Sequence, residues 1–316
     1  LIIGSGPAGQ KAAIQGAKSG RSVCLIESEA QIGGVCVHKG TIPSKALRES
    51  AVRYKHAHNL LLTDQPTELA PLMKNVGRVI NAHDAYISAQ LDRNQIDCVH
   101  GRAHFVDDHS VEITSPGGRT RQISGETIFI ATGSVPRQPP NIAIDHEYVL
   151  DSDSILSMDY LPHSMLVLGG GVIACEYASV FAELGTEVTL VDRFPQPLGF
   201  LDADLPIRFI AEFEAAGGKF IGNQNIRSAG FDGISQVVLD LESGEQLKAE
   251  KMLVVLGRIS NVRGLSLENT GVEISDLNLI EVNDHCQTNV PHIYATGDVF
   301  GPQSLDSSSM EQGRGA

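Results

Sequence analysis

The same run of landmarks occurs twice in this chain, 165 positions apart. Near the start stands Gly4-Ser5-Gly6-Pro7-Ala8-Gly9, then a helical stretch, Gly20, a β-rich run over 22–26, and Glu27. Further on stands Gly169-Gly170-Gly171-Val172-Ile173-Ala174, then a helical stretch, Gly185, a β-rich run over 187–191, and Asp192. In each copy an apolar strand (1–3; 165–168) enters a turn too tight for side chains. The first glycine permits the turn, the second lets backbone approach a pyrophosphate, and a small third residue lets helix and strand touch. The helix N-terminus then offers unpaired N–H groups to phosphate, and the acid at the end of the next strand accepts from ribose hydroxyls. Gly4, Gly6, Pro7, Ala8, Gly9 and Glu27 form one candidate dinucleotide site. Gly169, Gly171, Val172, Ile173 and Asp192 form the other.

The fold expected is therefore α/β with two Rossmann-like dinucleotide-binding domains, and 316 residues suffice for two cores. Thirty-two glycines and no tryptophan suit an architecture full of tight strand-to-helix turns. A formal charge of −14 argues against nucleic-acid or anionic-membrane partners, which need a basic face. No apolar run approaches the length of a membrane span. Five cysteines without a CxxC, in an acidic chain showing no secretion signal, read as reduced and cytoplasmic. The closest approaches to metal-ligand pairs, His56-x-His58 and His100-x3-His104, lack partners at the usual spacing, so no metal site is expected. The chain has no initiator Met and opens inside a strand, as expected of a clipped start.

The repeat continues less regularly. The strand at 127–130 leads into Ala131-Thr132-Gly133, and the one at 252–256 leads into Gly257-Arg258; each ends in glycine, which suits close approach to a cofactor. Helices are expected from 52 to about 94. Strands follow around 97–105, 110–114 and 120–124, with a hairpin turn at Pro116-Gly117-Gly118. Residues 151–164 read as a crossover linker, and 217–251 as a meander turning at Asp232-Gly233 and Ser243-Gly244.

Six motifs in order, GSGPAG (4–9), GGVCVHKGTIPSKAL (33–47), IFIATGSVP (128–136), VLGGGVIACEYA (167–178), VLGRISN (255–261) and TNVPHIYATGDV (288–299), resemble the flavin-dependent pyridine nucleotide–disulfide oxidoreductases. The resemblance covers nearly the whole chain and implies a glutathione-reductase-like arrangement. A discontinuous FAD-binding domain (1–152 and 280–316) would enclose an NAD(P)-binding domain (153–279). It implies that Gly33, Gly34, Val35, Cys36, Thr41, Ala131, Thr132, Gly133, Gly297 and Asp298 join the FAD site, with Asp298 accepting hydrogen bonds from the cofactor. It also implies that Lys45 and Glu176 pair beside the flavin and nicotinamide, the ammonium buried and the carboxylate keeping it charged and placed. The plainer reading makes both exposed residues of helix first turns.

One departure sets the expected chemistry. The disulfide reductases carry two cysteines separated by four intervening residues; here Cys36 is present and Thr41 stands in the second place. A hydroxyl forms no disulfide, so dithiol chemistry at that position is excluded. The same pattern, followed by GTIPSKAL, resembles the soluble pyridine nucleotide transhydrogenases. This implies hydride transfer from NADPH to NAD⁺ by a ping-pong sequence through flavin N5, with NAD and NADP as substrates. Asp192 suits the free 2′-hydroxyl of NAD. Arg193 either meets the 2′-phosphate of NADP or is a solvated strand-end cation. Gly257 and Arg258 complete the second site.

Cys36 has three readings: an inert residue packed on the flavin, a charge-transfer thiolate, or a sulfenic-acid redox centre. A single-Cys NAD(P)H oxidase or peroxidase and a truncated cofactor-binding core of little activity are thus the alternatives to a transhydrogenase. The family's chains continue into an interface domain that builds a homodimer; the sequence stops where that domain is expected, so its absence is part of the reading. The stretch 304–309 also departs from the family's Ala-rich pattern.

Overall fold

The computed structural model describes residues 1–61, 68–301 and 304–316, the side chains of 58–61 excepted. The chain divides into two compact units, one of residues 1–38, 80–135 and 259–316, the other of 39–79 and 136–258.

The first unit is built on a five-stranded, all-parallel sheet in the spatial order Ile293–Ala295, Ile128–Ile130, Ile2–Ile3, Cys24–Glu27, Asp97–His100. Its strands are short and mostly apolar, as strands covered on both faces must be. Ile3, Ile26, Ile128, Ile130, Ile293 and Ala295 pack on one face with Phe105, Val111 and Leu265. On the other, Ile2 and Leu25 meet Ala12 and Ala13 of helix Pro7–Lys18, together with Ile87 and Leu91 of helix Leu69–Arg93. Helix Pro7–Lys18 has Pro7 at its first position, where the missing N–H costs nothing, and buries a face of small residues. Those small residues let it lie close against the C-terminal helix Asp306–Gly315, where a Cβ at Gly313 would stand 2.1 Å from the Ala8 carbonyl oxygen.

The second unit repeats the plan. Its parallel sheet runs Lys219–Ile221, Glu187–Val191, Ser164–Leu168, Lys251–Val254, Val149–Asp151. In both units the founding strand is flanked by the second strand on one side and the fourth on the other, the doubly wound order. Both units also insert a three-stranded antiparallel sheet between their third and fourth strands: Arg102–Phe105, Ser110–Thr114, Thr120–Ser124 in one, and Ile226–Phe231, Val237–Leu241, Gln246–Ala249 in the other. The duplication is therefore more complete than the constant offset suggests. It slips because helices Thr41–Leu61 and Leu69–Arg93 stand between the second and third strands of the first copy. The second copy has only the twelve-residue Asp204–Ala215 there.

Two stretches differ from expectation. The meander read over 217–251 begins later, because Lys219–Ile221 joins the parallel sheet beside 187–191. The linker read over 151–164 starts with a residue of the edge strand Val149–Asp151, whose register against Met252, Leu253 and Val254 extends the sheet. Among the described residues no helix is long and apolar enough to cross a membrane.

Candidate functional site

Each glycine loop sits at the C-terminal end of its unit's central strand, the edge at which open α/β sheets take ligands. Gly4 has φ +104° and Gly169 φ +108°, a backbone region that L side chains avoid. Sterics forbid a side chain there as well: a Cβ would stand 2.3 Å from the Ala131 carbonyl oxygen in one loop and 2.5 Å from that of Val255 in the other. By contrast, a Cβ at Gly6 or Gly171 would meet nothing within 4 Å. These two residues cap the helices Pro7–Lys18 and Val172–Glu183 in extended conformation without any side-chain cap. Bare backbone, open space and uncapped N–H groups together make an anion cradle.

In the first unit Glu27 is buried, and one oxygen accepts from both Ser5 N (2.8 Å) and Ser5 Oγ (2.6 Å). Ser5 Oγ in turn accepts from Gly33 N at 2.9 Å. The acid thus locks the glycine loop to the turn at Gly33 and Gly34, which precedes Val35 and Cys36 in the helix Gly34–His38. At the ends of two neighbouring strands lie Ala131-Thr132-Gly133 and Gly297-Asp298. The Oγ1 atoms of Thr132 and Thr296 are buried with no partner among the described residues. Asp298 Oδ2 accepts from Ser134 Oγ at 2.8 Å, and Gly297 N donates to Gln312 Oε1 at 3.0 Å. Asn261 closes the edge, donating its backbone N–H to Gly133 O and its amide to Thr132 O. Unsatisfied buried hydroxyls, a carboxylate tied to the loop and a cradle free of Cβ atoms fit an adenine dinucleotide.

Cys36 Sγ donates to Asp306 Oδ2 at 2.6 Å, on the first residue of the C-terminal helix. A thiolate at that place would face a carboxylate, like charge against like charge. Asp306 lies within the 304–309 stretch that departs from the family pattern. All five cysteines are free thiols.

Thr41, read as part of the FAD site, and Lys45, read as paired with Glu176 beside flavin and nicotinamide, fall in the second unit, alongside Gly169, Gly171, Val172, Ile173, Glu176, Asp192, Arg193, Gly257 and Arg258. Helix Thr41–Leu61 packs on helix Val172–Glu183, and Lys45 Nζ donates to Glu176 Oε1. The expectation of a buried ammonium is not met: the Lys45 side chain is 62 % exposed, against 17 % for Glu176. Asp192 follows the strand Glu187–Val191, and its Oδ1 accepts from the Arg193 N–H at 2.7 Å. Burial pushes its carboxyl above the usual carboxylate range, against the backbone N–H groups of Arg193, Phe194 and Gly170 that favour its charge. The Arg193 guanidinium lies over the Phe194 ring, 4.6 Å from its centroid. Arg258 reaches back to Ser152 Oγ (2.9 Å) and Asp153 Oδ1 (2.8 Å), two residues that no motif singles out.

The histidine pairs do not converge. His100 Nε2 lies by the Ser28 carbonyl and His104 by Glu112, while the His58 side chain is outside the described residues. Asp108, His109 and His292 bring one ligand atom each within 4.8 Å. However, the two rings are stacked 3.7 Å apart at 5°, and each has a nitrogen paired with a backbone carbonyl. Parallel imidazoles aim their in-plane lone pairs side by side instead of at one ion.

Fold and site together define a protein built on two dinucleotide-binding modules. The profile of the pyridine nucleotide-disulphide oxidoreductases matches residues 1–313, and the chain belongs to that family. It is 38 % identical over 322 residues to a soluble pyridine nucleotide transhydrogenase of Pseudomonas putida, covering 100 % of this chain and 69 % of the relative. A protein of the same name from Mycobacterium bovis is 40 % identical over 327 residues, covering 99 % and 68 %. Among solved structures, the Cu(II) complex of the HOCl-induced flavoprotein disulfide reductase RclA from Escherichia coli superposes with a TM-score of 0.90 at 30 % identity, over 99 % of this chain and 68 % of that one. LpdA from Mycobacterium tuberculosis gives 0.91 at 29 %, over 99 % and 70 %.

Proposed function

We propose that the protein transfers hydride from NADPH to NAD⁺, as a soluble transhydrogenase of the Si-specific type, by a ping-pong sequence at one nicotinamide site. FAD, when bound, supplies an N5 atom that takes a hydride from one nicotinamide and gives it to another. The net exchange, NADPH + NAD⁺ to NADP⁺ + NADH, moves two electrons and one proton together and calls for no further redox partner. The FAD-binding domain is proposed to comprise 1–152 with 280–316 and the NAD(P)-binding domain 153–279, whereas the compact units change over at 135/136 and 258/259 and place 39–79 in the second. A homodimer in the cytoplasm belongs to the same reading.

Gly4, Gly6, Pro7, Ala8 and Gly9 would hold the FAD pyrophosphate, with Glu27 on its ribose. Residues 33–36, Thr41, 131–133, Gly297 and Asp298 would line the rest of the cofactor. Gly169, Gly171, Val172 and Ile173 would hold the nicotinamide dinucleotide, with Asp192 on a free 2′-hydroxyl and Arg193 on a 2′-phosphate. Gly257 would let backbone approach, and Arg258 would face the dinucleotide's phosphates. Lys45, kept in place by Glu176, would offer a positive charge to the reacting centre.

The observation carrying this reading is the pairing of Thr41, where the disulfide reductases need their second cysteine, with Cys36, whose S–H is engaged by Asp306. Neither residue is equipped to relay electrons through sulfur. The test is transhydrogenation by FAD-loaded protein, with NADPH as donor and thio-NAD⁺ as acceptor, in wild type and Cys36→Ser. Thio-NADH should form in both at comparable rates. No thio-NADH from the wild type would sink the proposal, and its loss in Cys36→Ser would move the chemistry to the thiol.

A further inference from the structure

We infer that Asp153 is the positioning residue of the nicotinamide dinucleotide site: it fixes the Arg258 guanidinium at the ligand edge of the second sheet. The inference rests on the reading of Arg258 as a dinucleotide-binding residue.

The geometry begins in the sheet register. The strands Val149–Asp151 and Lys251–Val254 are parallel neighbours with Asp151 opposite Val254, and Val254 is in turn opposite Leu168, the residue before the glycine loop. All three strands therefore release their chains at one edge. Past Val254 the chain reaches Gly257, whose carbonyl accepts from Arg137 N at 3.0 Å, and then Arg258.

Past Asp151 the chain turns at once. The Asp151 carboxylate, 3 % exposed, takes the N–H of Asp153 (3.0 Å), the N–H of Ser154 (2.9 Å) and Ser154 Oγ (2.8 Å). A buried acid whose hydrogen bonds go to its own turn makes that turn rigid. The rigid turn presents Ser152 and Asp153 side by side, and Arg258 Nη1 donates to both.

Asp153 and Arg258 are 19 % and 17 % exposed, so the pair is far less screened than the surface ion pairs elsewhere. The second Asp153 oxygen lies 3.8 Å from Lys39 Nζ, in the segment between Cys36 and Thr41. One carboxylate thus holds two cations, and one of them, Arg258, stands just past the strand end at which a dinucleotide phosphate would lie. An arginine left to itself in that place would lose rotamer freedom on binding; held beforehand, it loses little.

Two physical roles for Asp153 give opposite signs. If it acted only as a negative charge near the site, removing it would strengthen binding of an anionic dinucleotide. As a positioning residue, its removal weakens binding. The experiment is calorimetric titration of FAD-loaded protein with NADP⁺ and NAD⁺, in wild type, Asp153→Asn, Asp153→Glu, Ser152→Ala, Arg258→Met and the Asp153→Asn/Arg258→Met double variant.

We expect Arg258→Met and Asp153→Asn each to weaken both nucleotides by about tenfold, the scale of one charge-assisted hydrogen bond. The double variant should be no worse than Arg258→Met alone, and Asp153→Glu should recover part of the loss. Ser152→Ala should cost less, about two- to threefold, and gives an independent reading if Asp153→Asn does not fold. FAD content should stay unchanged in all of them. Unaltered or tighter binding in Asp153→Asn, with Arg258→Met weakened, overturns the positioning role. Unaltered binding in Arg258→Met instead overturns the reading of Arg258 itself.

Discussion

The contact between Cys36 and Asp306 makes the sharpest prediction, because it sets which chemistry the lone thiol can enter. Replacing Asp306 by Asn removes a negative charge 2.6 Å from the sulfur while keeping the side-chain volume. Coulomb's law at that separation gives about 1.6 kcal/mol of repulsion on a thiolate in bulk water and about 6 kcal/mol at an effective dielectric of 20. Cys36 is half-buried, so the lower figure is the safer one; it corresponds to roughly a tenfold gain in thiolate fraction. Alkylation by iodoacetamide follows that fraction, and it is followed at Cys36 by peptide mass spectrometry. The other cysteines serve as internal references, above all Cys175, whose thiol burial pushes up to about 12. Asp306→Asn should raise the Cys36 rate at least about tenfold at neutral pH, Asp306→Glu should restore the slow rate, and Cys175 should not move. An unchanged or slower Cys36 in Asp306→Asn would refute the idea that this carboxylate keeps the thiol out of redox chemistry.

Three further outcomes are expected. Glu176→Gln should leave the melting temperature nearly unchanged, since an ion pair to a lysine 62 % exposed stabilises by no more than about 1 kcal/mol; yet it should slow flavin reduction by NADPH in stopped-flow by about tenfold or more. A large loss of stability with unaltered reduction would reverse these roles. Asp192 has a native pKa raised above that of the unfolded chain. Its ionisation therefore opposes folding at pH values above the native pKa, and the penalty disappears below the unfolded one. Asp192→Asn should accordingly melt higher than wild type at pH 7 and no higher at pH 3 in parallel calorimetric scans, while binding NAD⁺ more weakly; a lower melting point at pH 7 would contradict the burial argument. Finally, Gly313→Ala puts a Cβ 2.1 Å from the Ala8 carbonyl oxygen. It should cost about 1–3 kcal/mol in urea unfolding, the range for overpacking; a neutral result would mean the two helices are free to part.

The glycine loops, their strands and the acids that follow were readable because each depends on a short run of residues whose backbone demands are local. Gly4 and Gly169, at φ +104° and +108°, have no room for a side chain, and spacing alone reveals that. The two antiparallel inserts were each readable as strands and turns, but their equivalence was not, because the long helices of the first copy break the constant offset. The Lys45–Glu176 partnership could be read from motifs, but its exposure could not, since solvent access depends on everything around the ammonium. Asp153 left no sequence signal, and Asp306 only its place in the unusual stretch 304–309; they meet their partners across 105 and 270 positions, and no local pattern encodes a contact of that span. Ser5 was hidden differently. Inside a glycine motif it reads as a spacer, yet its hydroxyl joins Glu27 to the Gly33 turn.

The central claim is that electrons entering the flavin leave on a second nicotinamide. Anaerobic titration of FAD-loaded protein with NADPH, followed by NAD⁺, tests it in one cuvette by flavin absorbance. Bleaching should be complete at about one equivalent of NADPH per flavin, with no further uptake into thiols, and the oxidised spectrum should recover fully on adding NAD⁺. Consumption of a second equivalent, or a bleached flavin that NAD⁺ leaves bleached, would contradict it.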